Sequence, residues 1–428
     1  MTKKIMNITL SIILFLLPLI IFPPSIYPRN YNIPKIILLY SCGLILLICL
    51  FIKHKELTFD KIDKILLAFI FLVFISTIFS VNIEKSIFGE NNRHEGLLSF
   101  ICYYLIYYCA KYYFKPNQDT INTSLFLMSI TSILGILQYY NVPIIHEIFK
   151  SELTGDSFAA STFGNRNFFA SFISICLPYV MCLYIFYHKK IYLFVTSISF
   201  YALLVSLTRS AWLAFFVFSI IGIIYIIKLK NEKILKNAGI VLLIFVVLFA
   251  IFYFTNPSTF LGRYRATVTD LKQLDNPVNN KKFASGRNLI WSSALRVVKS
   301  NPLIGCGPDA FLSELKTNHA EYLSDELYPK LKSFPDKVHN EFLQIAATIG
   351  IPALILYLLF LFKTLKKIIN QNFKKNRKAF ILFLCLISYL VQAFFNVSTI
   401  GVAPLFYFLL GYSYQLNKTL TLKENNNS

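Results

Sequence analysis

Apolar segments recur along the 428-residue chain, and no other feature restricts its fold as strongly. Each is about 20 residues long, which matches the ~30 Å hydrocarbon core of a bilayer at about 1.5 Å of rise per residue. Lipid offers the backbone no hydrogen-bond partner, so each segment must form an α-helix. The alternating segments of about ten residues that are typical of membrane β-barrels are not seen. The sequence therefore predicts an all-α polytopic membrane protein.

We count about twelve such segments. Charged residues make up only 15% of the chain, against about 25% in an average soluble protein. We therefore expect about twelve transmembrane helices. Their approximate bounds are 5–22, 34–52, 63–80, 97–114, 120–140, 167–187, 191–208, 210–227, 237–255, 341–362, 379–396 and 398–416.

The basic residues predict the orientation of these helices. The formal net charge is +21, and the lysines and arginines concentrate in alternate loops, most clearly between Lys363 and Lys378. Because cytoplasmic loops carry the excess of lysine and arginine, we expect both termini to be cytoplasmic and the protein to lie in the cytoplasmic (inner) membrane. The charge then reflects topology and attraction to anionic membrane lipids, so no nucleic-acid partner is implied.

A segment of about 85 residues interrupts the apolar pattern and is too long for a simple connection. We expect it to be a partly helical loop outside the cytoplasm, with one helix from an N-cap at Ser285 to about Ser300 and a second, short helix from Pro308-Asp309. The predicted division is helices 1–9 in 1–255, the extracytoplasmic loop in 256–340, helices 10–12 in 341–417 and a cytoplasmic tail in 418–428.

Cysteines and histidines give no sign of a disulfide framework or a metal site. Seven of the eight cysteines lie in apolar segments and only Cys306 lies in a loop, which is typical of buried thiols. The six histidines lack the spacing of metal ligands. Phosphate-loop and dinucleotide motifs are also missing. We therefore expect no metal and no cofactor.

His339 and Asn340 stand at the entry to the tenth segment. In a structural interpretation the histidine marks the membrane interface. In a functional interpretation the start of a helix disfavours protonation of the imidazole, and a neutral imidazole can accept a proton as a general base. We take His339 as the candidate catalytic residue and Asn340 as a candidate substrate contact.

Two arginines are candidate phosphate ligands. Arg287 opens the predicted loop helix, where guanidinium and backbone N–H groups can bind phosphate oxygens together; the alternative is a solvated surface residue. Arg209 lies between the seventh and eighth segments, where a charge near membrane depth is expensive and suggests function. Its alternative is an interfacial anchor whose charged end reaches water.

Two polar motifs precede other segments and contain further candidate substrate contacts. Arg166 lies between Phe163 and Phe168, where the structural alternative is a simple helix entry capped by Asn167. Arg93 lies in the polar stretch before the fourth segment, and the same alternative applies to it.

Four motifs occur in a fixed order in the second half of the chain. They are Thr208-Arg209-Ser210, Ser285-Gly286-Arg287 followed by Trp291, Asn301-Pro302-Leu303-Ile304-Gly305-Cys306-Gly307-Pro308, and His339-Asn340-Glu341-Phe342-Leu343 running into Gly350-Ile351. In this order they resemble the motifs of the O-antigen ligase superfamily. Its members are membrane glycosyltransferases that take a glycan from undecaprenyl diphosphate and pass it to an acceptor at the outer face. The number of segments and the long late loop are also similar.

The resemblance implies a role for three residues. His339 would be the base, and Arg209 and Arg287 would hold the diphosphate without a metal, in an inverting displacement. The partners implied are an undecaprenyl-diphosphate-linked glycan donor and a lipid A-core, glycan or protein acceptor. Ligase, polymerase and protein O-oligosaccharyltransferase remain alternatives within the superfamily, and a lipid-linked glycan flippase or other transporter is the alternative from another class.

Overall fold

The computed structural model describes residues 1–21, 31–91, 93–143, 145, 159–272, 286–322 and 336–416. Within these residues the regular structure is entirely helical, which confirms the predicted all-α class. The α-helices are α1 (Thr2–Leu16), α2 (Ile33–Ile52), α3 (Lys61–Ile78), α4 (Ile83–Phe88), α5 (Leu97–Tyr112), α6 (Gln118–Tyr139), α7 (Arg166–Tyr187), α8 (Lys190–Val205), α9 (Arg209–Leu229), α10 (Glu232–Thr255), α11 (Pro257–Lys272), α12 (Arg287–Ser300), α13 (Phe311–Asn318), α14 (Glu341–Thr348), α15 (Ile351–Ile369), α16 (Arg377–Ala393) and α17 (Ala403–Tyr412).

Five of these helices, α2, α6, α7, α9 and α10, are long and apolar enough to cross a membrane. Two shorter apolar helices, α8 and α17, accompany them. The protein is therefore an integral membrane protein, and the total of twelve spans stays a prediction. Helix α7 forms the centre of the bundle, packed against α8, α9, α10 and α16, and a second layer is built from the pairs α5–α17 and α3–α15.

Helix α5 separates two ends of the bundle. Glu95, just before its first turn, contacts Lys337 near His339, whereas Lys111 lies in its last turn beside Asp63. Sixteen residues of helix separate the two ends by about 24 Å, at ~1.5 Å per residue. We call them the His339 end and the Lys111 end. The starts of α7, α9 and α14 and the end of α16 lie at the His339 end.

The predicted tenth segment, 341–362, is wrong as a single helix. Helix α14 ends at Thr348, and α15 starts at Ile351 and continues to Ile369. Gly350 between them has φ = 101°, and a Cβ on it would lie 2.3 Å from the carbonyl oxygen of Leu303. The Ile351 N–H donates to the Pro302 carbonyl oxygen at 2.8 Å. The break therefore gives the Asn301–Pro308 turn a place to dock on the bundle.

Several predicted helix boundaries shift in the structure. Helix α12 starts at Arg287 with Gly286 at its cap, φ = 81°, and the predicted cap Ser285 lies outside the described residues, as does the tail 418–428. The second loop helix starts at Phe311 rather than at Pro308-Asp309. The cap of α7 is Asn165, which accepts from the Asn167 N–H at 2.8 Å, so Asn167 is not the cap. All eight cysteines are free thiols, and Cys306 is buried although it lies in a loop.

Candidate functional site

Local hydrogen bonds fix the chain around His339. The Asn340 side chain caps α14, because its Oδ1 accepts from the Leu343 N–H at 2.9 Å. On the other side of the histidine, the Val338 N–H donates to Gln344 Oε1 at 2.8 Å. His339 itself has φ = 54°, a left-handed conformation that non-glycine residues rarely adopt. The imidazole is therefore presented from a tightly specified turn.

The imidazole of His339 is partly buried and surrounded by cations. Its pKa is lowered from 6.5 to about 4, first by burial and then by Arg287 and Arg93. Lys337 lowers it further, while Asp336 opposes the shift. The ring is therefore neutral near pH 7, as anticipated, although burial and the arginines are the main causes. Its Nδ1 is buried and has no hydrogen-bond partner among the described residues.

Arg93 joins three elements of this site. Its Nε donates to Asp336 Oδ2 at 2.6 Å, and its guanidinium lies 5.2 Å from the centre of the Phe168 ring. Because Arg93 also lowers the pKa of His339, the loop before α5, the start of α7 and the turn before α14 meet at one place.

Three helices at this end begin with arginine. Arg166, Arg209 and Arg287 are the first residues of α7, α9 and α12, and none of these helices has an acidic residue in its first turn. The start of a helix carries partial positive charge, so a cation there is unfavourable by about 0.3–1 kcal/mol. Three such placements concentrate positive charge at this end of the bundle.

Hydrogen bonds connect the start of α9, at Arg209, to the start of α7, at Arg166. The Thr208 hydroxyl, just before Arg209, lies 3.5 Å from the Arg166 carbonyl oxygen and 3.4 Å from Asn167 Oδ1. The Asn167 carbonyl oxygen accepts from Gln392 Nε2 and Asn396 Nδ2, each at 3.3 Å. The starts of α7 and α9 are therefore fastened to the end of α16.

Aromatic rings connect this group to Arg287 and His339. Trp291, one turn after Arg287, lies 6.0 Å from the Phe394 ring and 6.5 Å from the Phe395 ring. Phe342, three residues after His339, lies 6.5 Å from Phe394. All six candidate residues from the sequence therefore lie at the His339 end. Arg287 and Arg93 act directly on His339, and Arg166 and Arg209 are connected to it through α16.

Two buried charged residues beside His339 were missed in the sequence. Lys337 is ion-paired with Asp309 and with Glu95, and Glu341 accepts hydrogen bonds from two tyrosines. Their partners are far away in sequence, so spacing could not reveal them. A usable signal was the dense run of charges around His339 at the edge of an apolar segment. In the described part of the chain no group of three or more His, Cys, Asp or Glu residues could hold a metal ion.

Comparison with known proteins shows a family similarity in part of the chain. Residues 192–358 match the family model described as O-antigen ligase. This interval contains Arg209, Arg287, His339 and Asn340, whereas Arg93 and Arg166 precede it. A search among curated proteins found no match. On this match, residues 192–358 are similar to the O-antigen ligase family.

Proposed function

We propose that the protein is a membrane glycosyltransferase of the O-antigen ligase type. It moves a glycan from undecaprenyl diphosphate to an acceptor hydroxyl at the outer face of the cytoplasmic membrane. The family match supports the class of reaction. One observation carries the assignment of the site: three helices that begin with arginine meet a neutral, partly buried histidine at one end of the bundle.

The arginines suit a diphosphate. Guanidinium stays charged and binds phosphate oxygens through two parallel hydrogen bonds, and the free N–H groups at helix starts add further donors. Arg209 and Arg287 are the proposed diphosphate ligands. Arg166, Arg93 and Asn340 are proposed as further substrate contacts. Arginines that bind the diphosphate also neutralise the negative charge that develops on it as it leaves, so the proposed mechanism needs no metal.

His339 is the proposed base. It would take the proton of the acceptor hydroxyl while that oxygen forms a bond to the anomeric carbon of the glycan. The bond between this carbon and the diphosphate oxygen breaks at the same time, and its electron pair leaves with the diphosphate. Attack from the side opposite the leaving group inverts the anomeric configuration.

Donor binding would strengthen this base. The pKa of His339 is about 4, and Arg287 and Arg93 are among the causes of this low value. A bound diphosphate brings negative charge to the same arginines and offsets their effect on the imidazole. The pKa of His339 then rises toward its ordinary value, and the imidazole becomes a better proton acceptor only when a donor is present.

The site defines the proposed topology. We propose twelve spans with both termini in the cytoplasm, so that the His339 end faces outward from the inner membrane. Residues 1–255 would hold nine spans, 256–340 the outer loop, 341–417 three spans and 418–428 a cytoplasmic tail. The lysine-rich stretch after α15 lies at the Lys111 end, in agreement with the positive-inside rule.

The acceptor defines the alternatives within the family. If the acceptor is a lipid A-core, the protein is a ligase; if it is a growing glycan, the protein is a polymerase. If the acceptor is a protein hydroxyl, the protein is a protein O-oligosaccharyltransferase. A flippase or other transporter is the alternative from another class. Transporters place ionisable residues along a central path through the membrane, whereas the candidate residues here cluster at one end, which favours an enzyme.

Transfer in liposomes tests the proposal. Purified protein is given lipid-linked glycan donor and acceptor with no energy source, and the glycosylated product is measured. We expect transfer by the wild type and a loss of about 10²–10⁴-fold in His339→Ala, which is the range for a general base. His319→Ala is the matched control, because His319 lies in the same loop and contacts Ser300 and Glu314. Full transfer by His339→Ala at equal protein levels would rule out the base assignment.

A further inference from the structure

His339 stands midway between two buried charged residues. Lys337 lies two residues before it and Glu341 two residues after it, and they are 2% and 6% exposed. Neither belongs to the proposed chemistry. Burying a charge is costly unless partners satisfy it, so both positions need an explanation.

Lys337 is fastened by carboxylates from two distant segments. Its Nζ lies 3.1 Å from Glu95 Oε2 and is ion-paired with Asp309 Oδ1. Asp309 Oδ2 in turn accepts from the Glu90 and Glu95 N–H groups at 2.8 and 3.1 Å. Burial by itself would lower the pKa of Lys337, but Asp309 and Glu95 outweigh it and the pKa is raised. The lysine is therefore held as a cation inside the protein.

On the other side of His339, hydrogen bonds from two tyrosines hold Glu341 in place. Its Oε1 accepts from the Tyr357 hydroxyl at 2.6 Å, and its Oε2 accepts from the Tyr389 hydroxyl at 2.7 Å. These tyrosines belong to α15 and α16, so the first residue of α14 is bound to two long helices. Both carboxylate oxygens are used in these contacts.

Between these two anchors the backbone carries a strained residue. A left-handed non-glycine residue such as His339 persists only where its surroundings determine the conformation. A base of the Ser-His-Asp type is oriented by a carboxylate on its second ring nitrogen. No described residue makes such a bond to His339 Nδ1. The orientation of this imidazole must therefore come largely from its backbone.

We propose that Lys337 and Glu341 are positioning residues that hold the His339 backbone in its left-handed conformation and so aim the imidazole at the acceptor hydroxyl. This inference rests on the proposed function, because it presumes that His339 is the base. The anchors act on both sides of one residue, so they can orient the imidazole although its buried Nδ1 has no hydrogen-bond partner among the described residues. A small displacement of a reacting group can lower the rate by about 100-fold.

A pair of matched lysine variants tests the proposal. Lys337→Met removes the cation between Glu95 and Asp309, and Lys111→Met makes the same change between Asp60 and Asp63 at the opposite end. In the liposome assay we expect Lys337→Met to lower kcat by about 10- to 100-fold with little change in the KM for the donor. Lys111→Met should keep kcat within about twofold. Equal kcat values in the two variants would overturn the proposal.

The pH profile separates positioning from a general loss of structure. Freeing the turn exposes the imidazole, and the variant also removes a cation that lowers the pKa of His339. The acid limb of kcat/KM should therefore move to higher pH in Lys337→Met, toward the ordinary value for histidine. A smaller fraction of folded protein would lower the rate without moving this limb. Lys337→Arg keeps the cation and should recover at least part of kcat. An unmoved limb with no recovery by arginine would also overturn the proposal.

Two further variants keep the result decisive. If Lys337→Met does not accumulate in the membrane, Glu341→Gln carries the same test, because it keeps the side-chain shape while weakening the tyrosine contacts. His339→Ala in the same assay separates the two proposals. Full activity there would reject the base assignment itself, whereas an inactive His339→Ala beside normal Lys337→Met and Glu341→Gln would reject only the positioning role.

Discussion

The two ends of the bundle each bury a lysine between two carboxylates, yet they differ in their surroundings. Lys111 lies 2.6 Å from Asp63 and 2.7 Å from Asp60, and its Nζ is 4.1 Å from the centre of the Tyr414 ring. Asp60 and Asp63 also form the capping box of α3. Carboxylates at a helix start are the favourable arrangement, so this cluster is accounted for by stability.

The His339 end has different surroundings. There α7, α9 and α12 start with arginine, and the lysine cluster adjoins a histidine kept neutral by burial and by cations. A buried ion pair by itself says little about function, since both ends have one. Basic residues also start helices at the Lys111 end, Lys190 in α8 and Arg377 in α16. What distinguishes the His339 end is therefore the neutral histidine beside arginines.

Arginine-to-lysine changes should have the largest effect on this contrast. Arg287→Lys and Arg209→Lys keep the charge but lose the paired hydrogen bonds to phosphate, so we expect kcat/KM for the donor to fall by about 10- to 100-fold. Arg296→Lys is the control, because Arg296 lies on α12 and its guanidinium is 4.3 Å from the centre of the Tyr322 ring. Unchanged kinetics in Arg287→Lys would argue against bidentate binding.

The pH dependence should differ between the free enzyme and its complex with the donor. Because the pKa of His339 is lowered to about 4, the neutral base is present above that pH. On acidification, kcat/KM should therefore fall only as the pH approaches about 4. The limb of kcat, which reports the donor complex, should lie at higher pH. Arg287→Gln removes a positive charge that lowers the pKa of His339, so the acid limb of kcat/KM should move to higher pH. A limb that stays in place would show that Arg287 does not act on His339, and Arg296→Gln controls for charge.

Asn340 should give the smallest effect. Asn340→Ala removes the cap of α14, which costs about 1 kcal/mol and is measurable as a lower Tm. Asn231→Ala removes the cap of α10 at the Lys111 end and should lower Tm similarly without changing transfer. Asn340→Asp keeps the capping oxygen, so transfer at the wild-type rate would assign Asn340 to capping alone. Lost transfer with a normal Tm would support a substrate contact.

The sequence predicted helices well because apolar length is a local property. The break at Gly350 was missed, since 341–362 reads as continuous and the close contact comes from Leu303 in another part of the chain. The long loop was recognised by its polarity, but the start of its second helix depends on turn geometry, with Asp309 at φ = 58°. Local composition therefore predicts where helices exist better than where they end.

The candidate site residues were identified one at a time, and their roles stay predictions. Arg209 stands out because charge near an apolar segment is costly, whereas Arg287 and His339 stand out at the starts of predicted helices. Lys337 does not stand out in the same way, because its partners Glu95 and Asp309 come from different parts of the chain and only the fold unites them. The low pKa of His339 was expected from its position at a helix start, but burial and the arginines are the main causes in the structure.

Arginines at helix starts also bear on what happens after transfer. On the proposed function they bind the part of the donor that the reaction leaves intact. The lipid diphosphate that remains keeps both phosphates and gains a negative charge where the glycan was attached, so these cations hold the spent carrier more tightly than the loaded one. On the proposed function, we therefore expect departure of the carrier into the bilayer to slow turnover, and turnover to be faster where another activity removes that lipid.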